Sequence, residues 1–404
     1  MTGDRFTRDR MTWVSYWMLG YFAYLEAVLG PVMPFLRDDL HLSYGIASLH
    51  FSAFAFGGVV TGALGDRVVL WLGRRLVFWG GAAGMALGAL LFILSPSAVG
   101  TVAAAFLMGV LGSLLLLCIQ SSLADRHGAW RAVALTEANV AASIFAILSS
   151  LVVGVVAASR LGWRMALILP LAVPLIVAIA GWHTDLGQMR PPEGHGAGPK
   201  RIPASFWAIA GVVFLETGVE WCVAYWGAGF LVASGHLSKA AAATALGAFF
   251  LAMVIGRFGG SVLMRRIRGS LVLLVSLGLA LGAFLLFWLG GSPAWHVAGL
   301  FLVGLGVANV YPVSIALATD SVSLHADWAS ARVGIAAATS ILLAPFVLGT
   351  LADRTGIERA FAIAIPLLLA ALALAAVASG LQGSGVAARQ TTTHGTPEAR
   401  GTRG

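Results

Sequence analysis

Charged residues are scarce in this chain: they make up 10% of its 404 residues, against about 25% in a typical soluble domain. Apolar residues other than glycine account for 59%, and there are 50 glycines in addition. Such a chain has too few polar side chains to cover a water-exposed surface. The composition therefore excludes a soluble or nucleic-acid-binding domain, and we expect lipid to surround the fold.

Cysteine is nearly absent as well. Cys118 and Cys222 both lie in apolar segments without metal-ligand spacing, which favours a packing role and excludes a disulfide framework. The motifs His-Glu-x-x-His and Gly-x-Ser-x-Gly, which would indicate a membrane enzyme, are missing too. We therefore predict that the protein is not an enzyme and uses no metal or cofactor.

Long apolar segments are what the chain does contain. A membrane-spanning helix needs about 20 mostly apolar residues, and twelve windows bounded by charge, proline or glycine meet this requirement. The sequence thus predicts an all-α membrane protein with twelve transmembrane helices. The windows are 12–36, 43–65, 76–95, 99–123, 132–158, 163–183, 205–233, 240–263, 270–290, 296–319, 331–351 and 360–381.

Polar segments divide these helices into two groups of six. The segment between the sixth and seventh windows is rich in proline and glycine, which is typical of a linker. Most of the 25 basic residues lie between helices on the side of the amino terminus, so both termini are expected in the cytoplasm, with the chain in a bacterial inner membrane. The predicted division is a cytoplasmic amino terminus 1–11, a six-helix bundle 12–183, a cytoplasmic linker 184–204, a second six-helix bundle 205–381 and a disordered cytoplasmic tail 382–404.

The two halves repeat one another. Adding 194 to a position in the first half often gives the same residue type in the second, and an offset of 195 serves for the fourth and tenth helices. One offset that holds across several helices indicates pseudo-symmetric bundles with the same membrane orientation. The matching pairs include Glu26 with Glu220, Gly62 with Gly256, Arg160 with Arg354 and Gly109 with Gly304.

Four carboxylates interrupt the apolar helices: Glu26, Glu137, Glu216 and Glu220. An ionised side chain at the bilayer centre costs about 2.5–3.5 kcal/mol on insertion scales, so we expect each to face a cavity or a partner. Glu216 and Glu220 share one helical face, and their repulsion predicts that they titrate as a coupled unit. Carboxyl groups that gain and lose protons inside a membrane indicate proton coupling. A permanently protonated glutamate in a helix-to-helix hydrogen bond is the alternative.

Polar and aromatic residues near these carboxylates complete a candidate binding site. An interfacial aromatic belt is the alternative for the tryptophans, and a packing role is the alternative for the histidine, which could otherwise relay protons. Arg257 is assigned to a membrane face, so we expect no fixed cation inside the site and favour neutral or cationic solutes. The added candidates are Asn139, Trp221, Trp226, Gln120, Asn309, Tyr311 and His50.

The loop after the second helix carries a motif. It reads Gly62-Ala63-Leu64-Gly65-Asp66-Arg67, and Gly73-Arg74-Arg75 follows after five further residues. This loop resembles the signature loop of the major facilitator superfamily, although the family usually has one residue in place of the five. The resemblance implies the family's fold, close packing at Gly62, and an Asp66 that caps a neighbouring helix. It also implies that Asp66 pairs with Arg67, Arg74 and Arg75 to lock the outward-open form.

Two further comparisons with the family bear on the subgroup. The proton-coupled drug exporters carry an arginine four residues before a glycine in the fourth helix, whereas Met108 precedes Gly112 here. The stretch from Asn309 to Pro312 is similar to the tenth helix of sugar and small-solute symporters. The resemblance is therefore closer to small-solute symporters than to drug antiporters.

The sequence as a whole predicts a secondary active transporter that works by alternating access. It would move a small neutral or cationic solute in symport with protons. Proton-coupled efflux of drugs or metabolites is one alternative, and a transporter-like receptor that senses a solute without moving it is another. The expected partners are a small solute, protons and membrane lipids, with no nucleic acid and no obligate protein partner.

Overall fold

The structure is a computed structural model that describes residues 6–188, 202–322 and 325–393. Ten of its helical segments are long and apolar enough to span a bilayer. One of these, Ala98–Ala158, contains two helices, and Met165–Gly181 is a shorter apolar helix. The predicted all-α fold with twelve spans is thereby confirmed. The helices are α1 Arg10–Leu40, α2 Tyr44–Leu72, α3 Arg74–Leu94, α4 Ala98–His127, α5 Arg131–Ala158, α6 Met165–Gly181, α7 Ala204–Ala233, α8 Lys239–Leu263, α9 Gly269–Leu289, α10 Pro293–Ser321, α11 Ala326–Thr355 and α12 Ala364–Thr393.

Prolines interrupt two of the central helices. A proline lacks the amide hydrogen and its ring clashes with the carbonyl four residues earlier. The residue four positions before Pro31 is Ala27, and α1 breaks at the next residue, Val28. The break in α10 begins at Ala308, four positions before Pro312. Both helices can therefore bend within the membrane without losing further backbone hydrogen bonds.

The two halves pack their helices in the same way. The pairs α1 with α5, α2 with α4 and α3 with α4 in the first half correspond to α7 with α11, α8 with α10 and α9 with α10 in the second. A Cβ on Gly109 would overlap the carbonyl oxygen of Phe54, and a Cβ on Gly304 would lie 2.5 Å from that of Phe249. Gly109 and Gly304 are 195 positions apart, and so are Phe54 and Phe249. The sequence repeat therefore corresponds to one helix crossing that occurs in both halves.

The two bundles meet along α2 and α11, along α5 and α8, and along α1 and α7. Glycines allow backbones to approach at these crossings. A Cβ on Gly30 would overlap the carbonyl oxygen of Ala224, and a Cβ on Gly349 would lie 2.8 Å from the carbonyl oxygen of Tyr44. The contact between the bundles is therefore close enough to exclude even a methyl group.

We call the side of the membrane where α1 begins the N-terminal face and the opposite side the distal face. The bundles are joined at the distal face. The Asp353 carboxylate at the end of α11 accepts hydrogen bonds from the amides of Tyr44 and Gly45 at the start of α2, at 2.6 and 2.8 Å. Lys239 of α8 forms an ion pair with Asp38 of α1. These contacts close the space between the bundles on the distal side.

The predicted linker and tail are only partly described. Residues 189–201 of the linker 184–204 lie outside the described residues. Its first part packs on the first bundle, because Leu186 is buried and its carbonyl accepts hydrogen bonds from Arg74 and Ser122. Helix α12 continues to Thr393, so the tail 382–404, predicted to be disordered, begins with helical backbone. Adding residues to an existing helix is much easier than nucleating one. Residues 394–404 are not described.

Candidate functional site

Two cavities lie between the bundles. The central cavity, of about 160 Å³, is lined by α1, α5, α7 and α8. The vestibule, of about 800 Å³, lies among α1, α2, α4 and α11. Glu26 and Tyr225 line both spaces. These two side chains, one from each bundle, therefore mark the place where the vestibule meets the central cavity.

The vestibule extends towards the N-terminal face. Its lining reaches Asp66 near the end of α2, Gln120 on the last third of α4 and Ala331 near the start of α11. All three positions lie on the N-terminal side of their helices. Because the distal side is closed, this conformation is accessible from the N-terminal face.

Three acidic or basic side chains line the central cavity: Glu26 from the first bundle, and Glu220 and Arg257 from the second. From the sequence, Arg257 was expected at a membrane face and no cation was expected in the site. The structure corrects this expectation: Arg257 is an exposed residue of α8 nearer the N-terminal face, and its long side chain contributes to the lining of the cavity. Within the described part of the chain, Arg257 forms no ion pair with either glutamate.

Tyr225 contributes a polar atom that lacks a partner. Its side chain is 1% exposed, and its hydroxyl forms no hydrogen bond with any described residue. The ring stacks on Phe51 of α2, with centroids 4.2 Å apart and an angle of 4° between the planes. A buried hydroxyl without a partner costs about 1–3 kcal/mol, so this group is suited to bonding a molecule in the cavity.

The remaining wall of the central cavity is mainly apolar and aromatic. Trp221, Phe249 and Phe250 supply rings, while Asn139 and Ser143 supply polar atoms from α5. Trp221 also contacts Tyr225, with ring centroids 5.0 Å apart. Aromatic walls with a few polar points are typical of small-molecule sites.

Glu216 does not line either cavity. It is fully buried within the second bundle, and neither of its carboxyl oxygens has a hydrogen-bond partner among the described residues. Glu220, one turn further along α7, does reach the central cavity. The two glutamates predicted to act as a pair therefore occupy different surroundings.

Glu137 is also separate from the cavities. Both of its oxygens bind the Arg8 guanidinium, at 2.7 and 2.5 Å, and the Tyr16 hydroxyl donates a further hydrogen bond of 3.0 Å. This carboxylate was expected to face a cavity or a partner, and its partner is an arginine that precedes α1. Glu137 thus ties the start of α1 to the start of α5 at the N-terminal face.

Two other candidates lie in packed regions. Trp226 is 1% exposed and its indole nitrogen donates a hydrogen bond of 3.0 Å to the carbonyl of Pro345, so it belongs to the contact between the bundles. His50 is fully buried, and its ring nitrogens lie 2.9 Å from the carbonyl of Ala47 and 2.8 Å from the hydroxyl of Thr101. Neither residue lines the central cavity or the vestibule.

The candidates on α10 are likewise outside both cavities. The Asn309 amide donates a hydrogen bond of 2.8 Å to the carbonyl of Gly256, which fixes the crossing of α10 and α8. Tyr311 is half-buried and packs on a cluster that contains Phe206. Gln120 and Asn139 are the other polar candidates, and they line the vestibule and the central cavity respectively.

The loop predicted to act as a lock is open in this conformation. Gly62 and Asp66 line the vestibule, and a Cβ on Gly62 would meet nothing within 4 Å. Arg74 is nearly buried and binds Asp125 at 2.7 Å, whereas Arg75 lies over the Trp182 ring. Asp66 and Arg67 form no ion pair with other described residues. The pairing that the resemblance implies for the outward-open form is therefore absent here.

Comparison with known sequences gives a family match. The profile of the Major Facilitator Superfamily matches residues 12–327. An uncharacterized MFS-type transporter of Yersinia pestis is 30% identical over 165 residues, which are 41% of this chain and 42% of that protein. The membrane protein MosC of Rhizobium meliloti is 25% identical over 159 residues, or 39% of each chain. The matched segments thus span about two fifths of these curated relatives.

Solved structures share the overall fold. A bacterial homologue of the human lysosomal transporter Spinster, in an inward-facing and occupied conformation, superposes with a TM-score of 0.74 at 14% identity, covering 94% of this chain and 98% of that one. The nucleoside transporter NupG gives 0.69 at 13% identity, covering 92% and 98%. At these identities the likeness establishes the fold alone.

Proposed function

Because the chain belongs to the Major Facilitator Superfamily and is a multi-pass membrane transporter rather than an enzyme, we propose that it moves a small solute in symport with protons by alternating access. The lack of the drug-exporter pattern at Met108 supports solute symport over drug export. The N-terminal face is cytoplasmic on this proposal, because basic residues collect there. The conformation described is then open to the cytoplasm.

The placement of Glu26 and Glu220 carries the proposal. One comes from each bundle, and both line the same cavity at the contact between the bundles. A solute or proton bound there would interact with both halves at once. Rocking the halves about this site would expose it first to one side of the membrane and then to the other.

Protonation supplies the coupling. Closing the cavity around an unbalanced negative charge removes that charge from water and is costly. Adding a proton to Glu26 or Glu220 removes this cost, so the occluded state becomes accessible when proton and solute are both bound. A differential binding free energy of about 5.5 kcal/mol would shift a 1:99 population to 99:1. The proton and the solute can each contribute part of this binding free energy.

Transport in proteoliposomes tests the proposal. Uptake of a solute found by a binding screen should rise when the outside is made acidic, and Glu220→Gln should abolish the dependence on the pH gradient. Glu358→Gln is the matched control, because Glu358 is exposed and lies outside both cavities. Uptake by the Glu220→Gln protein that follows the gradient as the wild type does would contradict proton coupling through this residue.

The same assay separates the alternatives. Efflux by proton exchange predicts that an acidic outside drives solute out of the vesicles. A receptor predicts binding without accumulation under either gradient. Symport alone predicts accumulation that follows the direction of the proton gradient.

A further inference from the structure

We propose that the solute is amphoteric: it carries a cationic group that binds Glu26 and Glu220 and an anionic group that binds Arg257. This inference rests on the proposed transport function and names its substrate class. It replaces the neutral or cationic solute expected from the sequence, because that expectation assumed a site without a fixed cation.

The arrangement of charge in the central cavity is the first observation. Glu26, Glu220 and Arg257 line one space of about 160 Å³. The guanidinium is not within 4.0 Å of either carboxylate, since no ion pair joins them in the described chain. Opposite charges that face one cavity without direct contact leave room for a molecule that contacts both.

Arg257 is exposed, and in forming no ion pair with a described residue it differs from the cations that bridge helices. Arg8, Arg74, Arg126, Arg164 and Lys239 each form an ion pair with an aspartate or glutamate. Those pairs hold helix ends together, whereas Arg257 has acidic groups in its cavity and does not bond to them. Its charge-assisted hydrogen bonds remain available to a carboxylate, phosphate or similar anionic group.

The Tyr225 hydroxyl is a second and independent observation. It is buried, it lines the central cavity, and it has no hydrogen-bond partner in the described chain. Tyr225 is held in place by its stack on Phe51. A hydroxyl fixed in this way can donate to the anionic group of a solute, and it lies in the same cavity as Arg257.

The balance of charge agrees with an amphoteric solute. With Glu26, Glu220 and Arg257 all ionised, the cavity carries one net negative charge. A solute with one positive and one negative group does not alter this balance, and a single proton then makes the occluded site neutral. A simple amine would leave Arg257 without a partner, and a simple carboxylate would leave both glutamates without one. Each analogue therefore forfeits the charge-assisted hydrogen bonds at one end of the site.

The walls of the cavity limit the solute further. Trp221, Phe249 and Phe250 cover its apolar sides, and aromatic faces favour an organic cation lying against them. Asn139 and Ser143 add hydrogen-bonding atoms from α5. The cavity thus fits a small organic solute that carries both charged groups on a short carbon skeleton or ring.

Matched probes test this inference on the purified full-length protein in nanodiscs. One set is γ-aminobutyrate, butylamine and butyrate, and the other is phenylalanine, phenethylamine and phenylpropionate. Dissociation constants come from thermal-stabilisation titrations. In at least one set, the amphoteric member should bind about tenfold or more tightly than either singly charged analogue.

Variants test which side chain binds the anionic group of the solute and which binds its cationic group. Arg257→Gln should remove the advantage of the amphoteric probe over the amine, and Arg257→Lys should restore part of it. Glu220→Gln should remove the advantage over the carboxylate. Arg160→Gln is the matched control, since Arg160 is exposed and lies outside both cavities. The inference is overturned if no amphoteric probe exceeds its analogues, or if Arg257→Gln preserves the preference.

Transport of the same probes separates this inference from the proposed function. Preferential binding of the amphoteric probe without uptake driven by a proton gradient would retain the solute class and reject proton coupling. Uptake driven by a proton gradient that selects the amine would retain coupling and reject the amphoteric solute.

Discussion

The Phe51 ring of the first bundle stacks face to face on the Tyr225 ring of the second, with centroids 4.2 Å apart. Tyr225 also lines the central cavity and the vestibule. One side chain therefore belongs both to the contact that closes the distal side and to the wall of the candidate site. Any movement that separates the bundles at the distal face must also move the Tyr225 hydroxyl or break the stack.

Phe51→Ala should loosen the distal closure, because it removes a buried ring that bridges the bundles. Truncating a buried phenylalanine costs about 3–5 kcal/mol, and here much of the cost falls on the distal-closed conformation. A cysteine placed at Ser48, which is fully buried, should then react faster with a membrane-impermeant maleimide from the distal side. Phe92→Ala is the control, because Phe92 is buried but contacts His50 within its own bundle. Equal labelling rates in the two variants would argue against the bridge.

Asp353→Asn should shift the population away from the distal-closed state. The Asp353 carboxylate sits on the N-terminal amides of α2, and a negative charge at a helix N-terminus contributes about 0.3–1 kcal/mol. Spin labels on the distal ends of α2 and α11 should report a larger fraction of long distances in the variant. Asp327→Asn, at the opposite end of α11, should leave that distribution unchanged.

Gly349→Ala should hinder closure by steric overlap. The added Cβ would lie 2.8 Å from both the Ser48 Cβ and the Tyr44 carbonyl oxygen, so the helices would have to separate. We expect slower transport and a smaller fraction of the distal-closed state. Gly278→Ala serves as the control, since its Cβ would meet nothing within 4 Å. Wild-type transport by the Gly349→Ala protein would show that the crossing is not that close.

The sequence predicted the fold well, because the bilayer sets helix length and the repeat fixes which helices correspond. The 195-residue offset relates Gly109 to Gly304, and the structure places both against an equivalent phenylalanine backbone. Glu26 and Glu220, related by the other offset, line one cavity. The hydropathy pattern and the repeat indicate these relationships before any contact is known.

The sequence could not predict which polar side chains form hydrogen bonds or ion pairs with residues distant in the sequence. Glu137 is bound by Arg8, which is 129 residues away, and Trp226 bonds a carbonyl 119 residues away. The depth of Arg257 was misjudged because hydropathy locates the backbone of a residue and not the end of a long side chain. Arg257 follows Val254 by three residues and Met253 by four, so the three share one helical face. Because Met253 lines the cavity, this spacing is a signal that could have placed Arg257.

Arg74→Gln should destabilise the protein rather than act as a gating variant. The Arg74 side chain is 2% exposed and bonds both Asp125 and the carbonyl of Leu186. Removing a buried charge-assisted donor leaves its partners unsatisfied and costs about 1–3 kcal/mol. Arg75→Gln, which loses only an exposed contact with the Trp182 ring, should cost about 1 kcal/mol or less. Unfolding midpoints in a denaturing detergent series would compare the two.

The most direct test of proton coupling concerns Glu26, the acidic residue that lines both cavities. Solute uptake into proteoliposomes is measured with and without an imposed pH gradient for the wild type, for Glu26→Gln and for the exposed control Glu358→Gln. We expect the gradient to accelerate uptake by the wild type and by the control, whereas Glu26→Gln should bind the solute more weakly and should lose this acceleration even at saturating solute. Acceleration of the Glu26→Gln protein equal to that of the wild type would contradict this expectation.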